Sequence, residues 1–144
     1  MAKVDLSGFD ELDAAFMRIG DLPKSLKEDA LQAMAAVAAR KIKSQGEAMG
    51  VRDPDSDVHI LDNIKVNKPE LTPAGGYADI TFSGTRTRNG VKTRNAEIAF
   101  VNEYGRRGQL ARPFIGTAMS QNEDAIAKPG AELIGDWIES EFKK

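Results

Sequence analysis

The stretch FSGTRTRNGVKTRNAEIAF, residues 82–100, folds back on itself in one of two registers. Asn89-Gly90 is a dipeptide favoured in two-residue hairpin turns, because both central residues of such a turn need positive φ. That turn sets Phe82 opposite Glu97 and Ile80 opposite Ala99, leaving Ile98 and Phe100 on the opposite face. Centring the loop on Gly90 instead sets Phe82 opposite Ile98 and Ile80 opposite Phe100, so that four apolar side chains share one face. The hydrophobic match favours the second register. It predicts a strand through Ile98 and Phe100, joined to its partner by an odd-length or bulged loop over 84–95 that is polar on both faces. With no buried face of its own, this arm is expected to be mobile in a free subunit and to order on assembly.

Upstream, Ile64 and Val66 alternate with Lys65 and Asn67, and Ala78, Ile80 and Phe82 alternate with Asp79, Thr81 and Ser83. Both read as half-buried strands. Asp53-Pro54, Asn67-Lys68-Pro69 and Pro73-Ala74-Gly75-Gly76 mark irregular backbone around them. Before these, Asp21-Leu22-Pro23 reads as the start of a long helix, since proline is tolerated in a first turn where its missing N–H has no partner to lose. Leu31, Met34, Ala38 and Ile42 form its stripe, widened by Leu26, Ala30, Ala33 and Val37, and Gly46 or Gly50 closes it. A shorter helix is predicted ahead of it: Ser7 and Asp10 resemble a capping box, and Phe9, Leu12, Phe16 and Ile19 share a face up to Gly20.

Downstream, the loop RRGQLAR leads to Pro113, whose fixed φ suits a helix start. Phe114, Ala118 and Met119 begin an apolar face there. Ile126, Leu133, Ile134, Trp137 and Ile138 then keep helical phase across Pro129-Gly130, predicting one kinked helix or two abutting ones. The expected fold is α+β, a small antiparallel sheet packed by a long N-terminal-half helix and a C-terminal helix. At 144 residues and 41 % hydrophobic content, residues 1–144 read as a single domain with a basic protruding loop around 84–95.

Composition argues against most reactive chemistries. The chain has no cysteine, so thiolate and disulfide chemistry are excluded. His59 is the single histidine, which leaves the familiar zinc sets and a histidine-based triad without partners. Asp53, Asp55 and Asp57 imitate the opening of a calcium loop, but Val58 stands where its glycine belongs and Ile64 where its closing glutamate belongs. The Gly105–Gly108 pair is spaced too closely for a phosphate-binding loop. No catalytic, metal or cofactor site is expected. MAKVDLSGFD lacks the apolar segment of a signal peptide, and no apolar run approaches membrane-spanning length, so no membrane partner is expected either.

Charge is more informative than composition. The whole chain carries a formal net charge of -2, yet between Gly84 and Arg112 seven cations (Arg86, Arg88, Lys92, Arg94, Arg106, Arg107 and Arg112) face only two carboxylates, Glu97 and Glu103. Six of the seven are arginine, which suits forked recognition of carboxylate or phosphate. Such a region steers the protein onto DNA phosphates, sets a basic face against an acidic neighbour, or simply solubilises a loop.

Ala99-Phe100-Val101, Glu103-Tyr104-Gly105 and then Ala111-Arg112-Pro113-Phe114, ending at Ala118, resemble the signature of the head-tail joining, or tail-completion, proteins in the neck of long-tailed phages and prophages. Leu61-Asp62-Asn63-Ile64-Lys65-Val66 is similar to that family's Leu-x-x-Ser-Ile strand start, with Asn63 replacing serine. Gly8-Phe9-Asp10-Glu11-Leu12 and the Ala-rich helix resemble its usual beginning, so the likeness spans most of the chain. Arg106 stands where the family commonly has threonine, and Gly116-Thr117 replaces a bulkier pair.

The resemblance implies a virion structural protein without catalysis or cofactor, made in the bacterial host cytoplasm and placed in the virion neck. Its expected partners are further copies of itself in a ring and neighbouring head-completion and tail proteins, with contact to packaged DNA left open. On this reading Arg86, Arg88, Lys92, Arg94, Arg106 and Arg107 form the subunit or DNA interface, and Glu103, Tyr104, Gly105, Pro113 and Phe114 form the structural motif. A DNA-contacting module using the basic loops 84–112 is the alternative.

Overall fold

The computed structural model describes residues 22–52, 59–73 and 75–143. The expected helix between Ser7 and Gly20 and the acidic turn at Asp53–Asp57 lie outside the described residues. Helix α1 (Lys24–Ala48) follows Pro23, whose carbonyl accepts from Lys27 N at 3.1 Å. The chain turns away two residues after it at Gly50 (φ 72°), while Gly46 lies inside the helix and is buried. Ala30, Ala35, Ala38, Ile42 and Gly46 are its buried residues, a small-residue face on which other backbones come close.

Two kinds of element pack on α1: the downstream helices α3 (Phe114–Gln121) and α4 (Glu123–Phe142), and the strands β1 (Ile64–Val66), β2 (Glu70–Thr72) and β3 (Gly75–Tyr77). The chain breaks between α3 and α4 at Asn122, whose side-chain amide donates to Ala118 O at 2.8 Å. Pro129 and Gly130 fall within one helix instead of dividing two. Gly130 is buried, and a Cβ there would stand 2.7 Å from Met34 Sδ. The glycine sets how closely α4 lies on α1.

The fold is of the α+β class, and its strands form three antiparallel ribbons. The strand β4 (Ile80–Phe82) pairs with β1, Ile64 opposite Phe82 and Val66 opposite Ile80, and β2 pairs with β3. The third ribbon joins β5 (Thr85–Arg88) and β6 (Val91–Arg94), with Thr85 opposite Arg94 and Arg88 opposite Val91. This is the two-residue turn: Asn89 and Gly90 both take positive φ, 52° and 78°.

The Gly90-centred register expected from hydrophobic matching is therefore corrected, and so is the strand through Ile98 and Phe100. Residues Asn95–Tyr104 form helix α2. The apolar faces of Ile80 and Phe82 are already opposed by Val66 and Ile64, so nothing requires a second strand beside them. Helical spacing turns Asn95, Ala99 and Asn102 inward and carries Phe100 outward.

One core gathers these elements. Ile42, Val51, Ile60, Leu61, Ala99, Phe114 and Ala118 are buried together, with Ile64, Ile80, Phe82, Ile98 and Ile115 packed around them. Ile60 and Leu61 come from a short 3-10 turn, Ile60–Asn63, that leads into β1. Phe82 meets Phe114 edge to face at a centroid distance of 5.9 Å.

The 3-10 turn is also fastened from outside. Both oxygens of Asp62 accept from the Arg52 fork at 2.8 Å, Glu47 of α1 accepts from the same guanidinium at 2.8 Å, and Lys43 stands 3.3 Å from Asp62. The hydrogen bonds from Arg52, aided by Lys43 and opposed by partial desolvation, hold the Asp62 carboxyl well below the usual carboxylate range. A folded-state pKa lowered in this way adds stability above the unfolded value and loses it as pH falls through the folded one. Thermal unfolding of the native chain and Asp62→Asn should therefore differ at neutral pH, begin to converge as pH falls below about 4 and meet only well below that. Equal melting curves at pH 7 would show the clasp to be inert.

Candidate functional site

The segment from Glu103 to Phe114 works as a unit. After α2 ends at Tyr104, Gly105 takes φ 76° and ψ 177°, a region essentially closed to residues with a Cβ. A Cβ at Gly105 would stand 2.9 Å from both Gln109 O and Ala111 N, so the loop closes directly over the glycine. Arg106 and Gln109 then bond to each other through both backbone pairs, at 3.0 and 2.9 Å, around Arg107 and Gly108. Arg112 N donates to Asn102 O at 2.6 Å, and its guanidinium donates to Gly50 O at 2.8 Å, tying the loop to the end of α1.

Pro113 precedes α3 as expected, and Phe114 has 0 % of its surface exposed. The orphan donors at the start of α3 are satisfied from a distance in sequence. Glu103 accepts from Ile115 N and Gly116 N, one carboxylate oxygen each, at 2.8 Å. Gly116 keeps the approach open, since a Cβ there would lie 3.1 Å from the carboxylate. The five motif residues Glu103, Tyr104, Gly105, Pro113 and Phe114 thus include a helix cap, a loop closure and a core anchor. Tyr104 is different: it is 70 % exposed.

The six expected interface cations do not form one surface. Alternation along the hairpin puts Arg86 and Arg88 on one face with Val91 and Thr93, and Lys92 and Arg94 on the other. Arg86, Arg88 and Arg106 line a cleft of about 400 Å³ between the hairpin, α2 and the Arg106–Gln109 loop, with Ile98, Val101, Asn102 and Gln109. An adjoining cleft of about 430 Å³ continues it to Arg52, His59 and Arg112.

Outside the clefts, Lys92 and Arg107 are exposed, and Arg94 is bound to Glu97 at 2.9 Å. Both carboxylates of the basic stretch are therefore already engaged, Glu97 by Arg94 and Glu103 by α3. Glu97 also lines the first cleft, beside Arg86 and Arg88.

Arg52, His59 and Arg112 were not among the expected interface residues, since nothing in their local sequence announces a shared cleft. His59 Nδ1 is buried and has no hydrogen-bond partner among the described residues. Asn102 was hidden for another reason: its side chain donates to Ile98 O at 2.9 Å, so a buried polar residue takes an inward position of α2. Among the described residues no helix is long and apolar enough to cross a membrane, and no three of His, Asp and Glu converge as a metal site would require. No protein-family model, no curated protein and no solved structure matches the chain.

Proposed function

We propose that the chain is a structural subunit of the neck of a long-tailed phage or prophage, forming a ring that completes one assembly and presents a docking surface to the next. The observation that carries this reading is the separation of charge. The hairpin, α2 and the loop to Arg112 hold the seven cations, and their two carboxylates are spent internally. Helix α4, which packs on α1 and α3, holds six carboxylates against one lysine. Opposite charges on separate elements of one subunit favour a head-to-tail contact, in which one face of each copy meets a different face of the next and a ring closes.

The order Glu103-Tyr104-Gly105 then Pro113-Phe114, which resembles the neck family, supports the same reading. Electron microscopy of the purified chain, alone and mixed with head-connector and tail proteins encoded beside it, should show rings or joint assemblies. A protein that stays monomeric and joins neither partner would refute the proposal. DNA contact by the cleft arginines is the second reading, favoured by their crowding around Arg86, Arg88 and Arg106.

A further inference from the structure

Asn89 is exposed at the tip of the β5–β6 hairpin, and Gly90 follows it. An asparagine before a glycine carries a reaction of its own. The next backbone nitrogen can attack the side-chain carbonyl carbon and close a five-membered imide, and glycine hinders that attack least because it has no Cβ. Nothing stands within 4 Å of the place a Cβ on Gly90 would occupy, so the tip is open to the water that the reaction then needs. The other asparagines differ. Asn63, Asn95, Asn102 and Asn122 each hold the side-chain amide against a backbone carbonyl, and neither they nor Asn67 precede a glycine.

The backbone decides when the ring closes. Among the described residues Asn89 is the only one besides glycine with positive φ, 52°, and the two-residue turn keeps it in the left-handed region. There the following nitrogen lies anti to Cβ, as far from the side chain as rotation about the Cα–C bond allows. Attack therefore waits for the hairpin to open. That opening is easy, because neither strand has a fully buried side chain: Arg86 and Thr93 are half-buried and the rest are exposed.

We propose that Asn89 is a spontaneous modification site, deamidating through the imide each time the open hairpin lets the ring close. The Gly90 nitrogen gives its proton to water as its bond to Asn89 Cγ forms, and the side-chain nitrogen leaves as ammonia. Water then opens the imide at either carbonyl. Opening at Cγ gives aspartate, which the same turn accepts. Opening at the backbone carbonyl gives isoaspartate, whose main chain runs through the former side chain and is one methylene longer, so the pairing of Arg88 with Val91 is lost. Both products place a carboxylate among the cations of the hairpin. The inference stands on the hairpin alone and is independent of the neck reading.

The native chain is held at mildly alkaline pH and body temperature, digested at intervals and mapped by mass spectrometry, with electron-transfer fragmentation separating isoaspartate from aspartate. Asn89 should convert ahead of every other asparagine, yet severalfold more slowly than in the same chain unfolded in urea. Thr87→Cys with Lys92→Cys places two thiols directly opposite each other in a chain that has no other cysteine. Their disulfide should slow conversion severalfold, and reduction should restore it. Hydrogen exchange over residues 85–94 should rise in the isoaspartyl form and stay native in Asn89→Asp.

An Asn89 that stays intact while another asparagine converts would overturn the assignment, as would one left unchanged when the chain in urea has reacted. Equal rates in the folded and unfolded chains, or in the oxidised and reduced double variant, would refute control by the hairpin. Native exchange in the isoaspartyl form would refute the loss of the turn.

Discussion

Phe114→Ala should lower the stability of the chain by about 3 to 5 kcal/mol, the usual cost of emptying a buried aromatic site. Phe114 has no exposed surface and stands where Ile42 of α1, Leu61 of the 3-10 turn and Ala99 of α2 are buried with it. Its ring also takes the edge-to-face contact with Phe82 of β4. Truncation would leave a hole bordered by several elements, none of which can close it without moving away from the others. The same residue opens α3, so its loss also loosens the backbone whose Ile115 and Gly116 N–H groups bind Glu103. Against a typical total of about 5 to 15 kcal/mol, this is a large fraction. The melting temperature should fall by roughly 10 °C or more. Phe114→Leu, which keeps much of the volume, should lose far less. An unchanged melting temperature in Phe114→Ala would mean that the core is organised around some other residue.

That Phe114 anchors a helix was legible because Pro113 and the following apolar positions form a local signal. The β1–β4 alternation was legible for the same reason, and so was the long Ala-rich helix. Helix α2 was not, because its inward stripe is Asn95, Ala99 and Asn102, two amides and a methyl group. Hydrophobic periodicity sees nothing in such a stripe and fastens on Ile98 and Phe100, whose spacing of two imitates a strand.

The amides are nevertheless well placed. Asn95 donates from its side chain to Ser83 O at 2.8 Å and from its backbone to Gly84 O at 3.0 Å, which turns the chain from hairpin into helix. The turn dipeptide Asn89-Gly90 was the better guide to register, since its demand for positive φ is local, whereas the apolar match overlooked that Ile64 and Val66 compete for the same partners. Glu103 illustrates a different limit. Its carboxylate caps a helix that starts eleven residues later, and only the loop closed over Gly105 brings the two together.

Replacing Arg86, Arg88, Arg94, Arg106 and Arg107 with glutamate should abolish self-assembly and leave a folded monomer. These side chains lie on the hairpin and the loop, outside the buried core. On the head-to-tail contact proposed above, whichever of them face an acidic neighbour would set like charges across it, at a cost of several kcal/mol. Circular dichroism should stay native while the oligomer disappears from light scattering.

DNA binding by the same arginines predicts a different response in the unsubstituted chain. Each neutralised phosphate releases counterions, so the logarithm of affinity should fall with the logarithm of salt at about -0.9 per contact, or about -4.5 for five.

The subunit contact is favoured on two grounds. The acidic α4 would repel DNA, and the hairpin divides its cations between two faces, Arg86 and Arg88 on one and Lys92 and Arg94 on the other, whereas a phosphate track needs them in line. Steep salt dependence of DNA binding by the isolated subunit, with normal assembly of the glutamate variant, would reverse that preference and assign the cleft to nucleic acid.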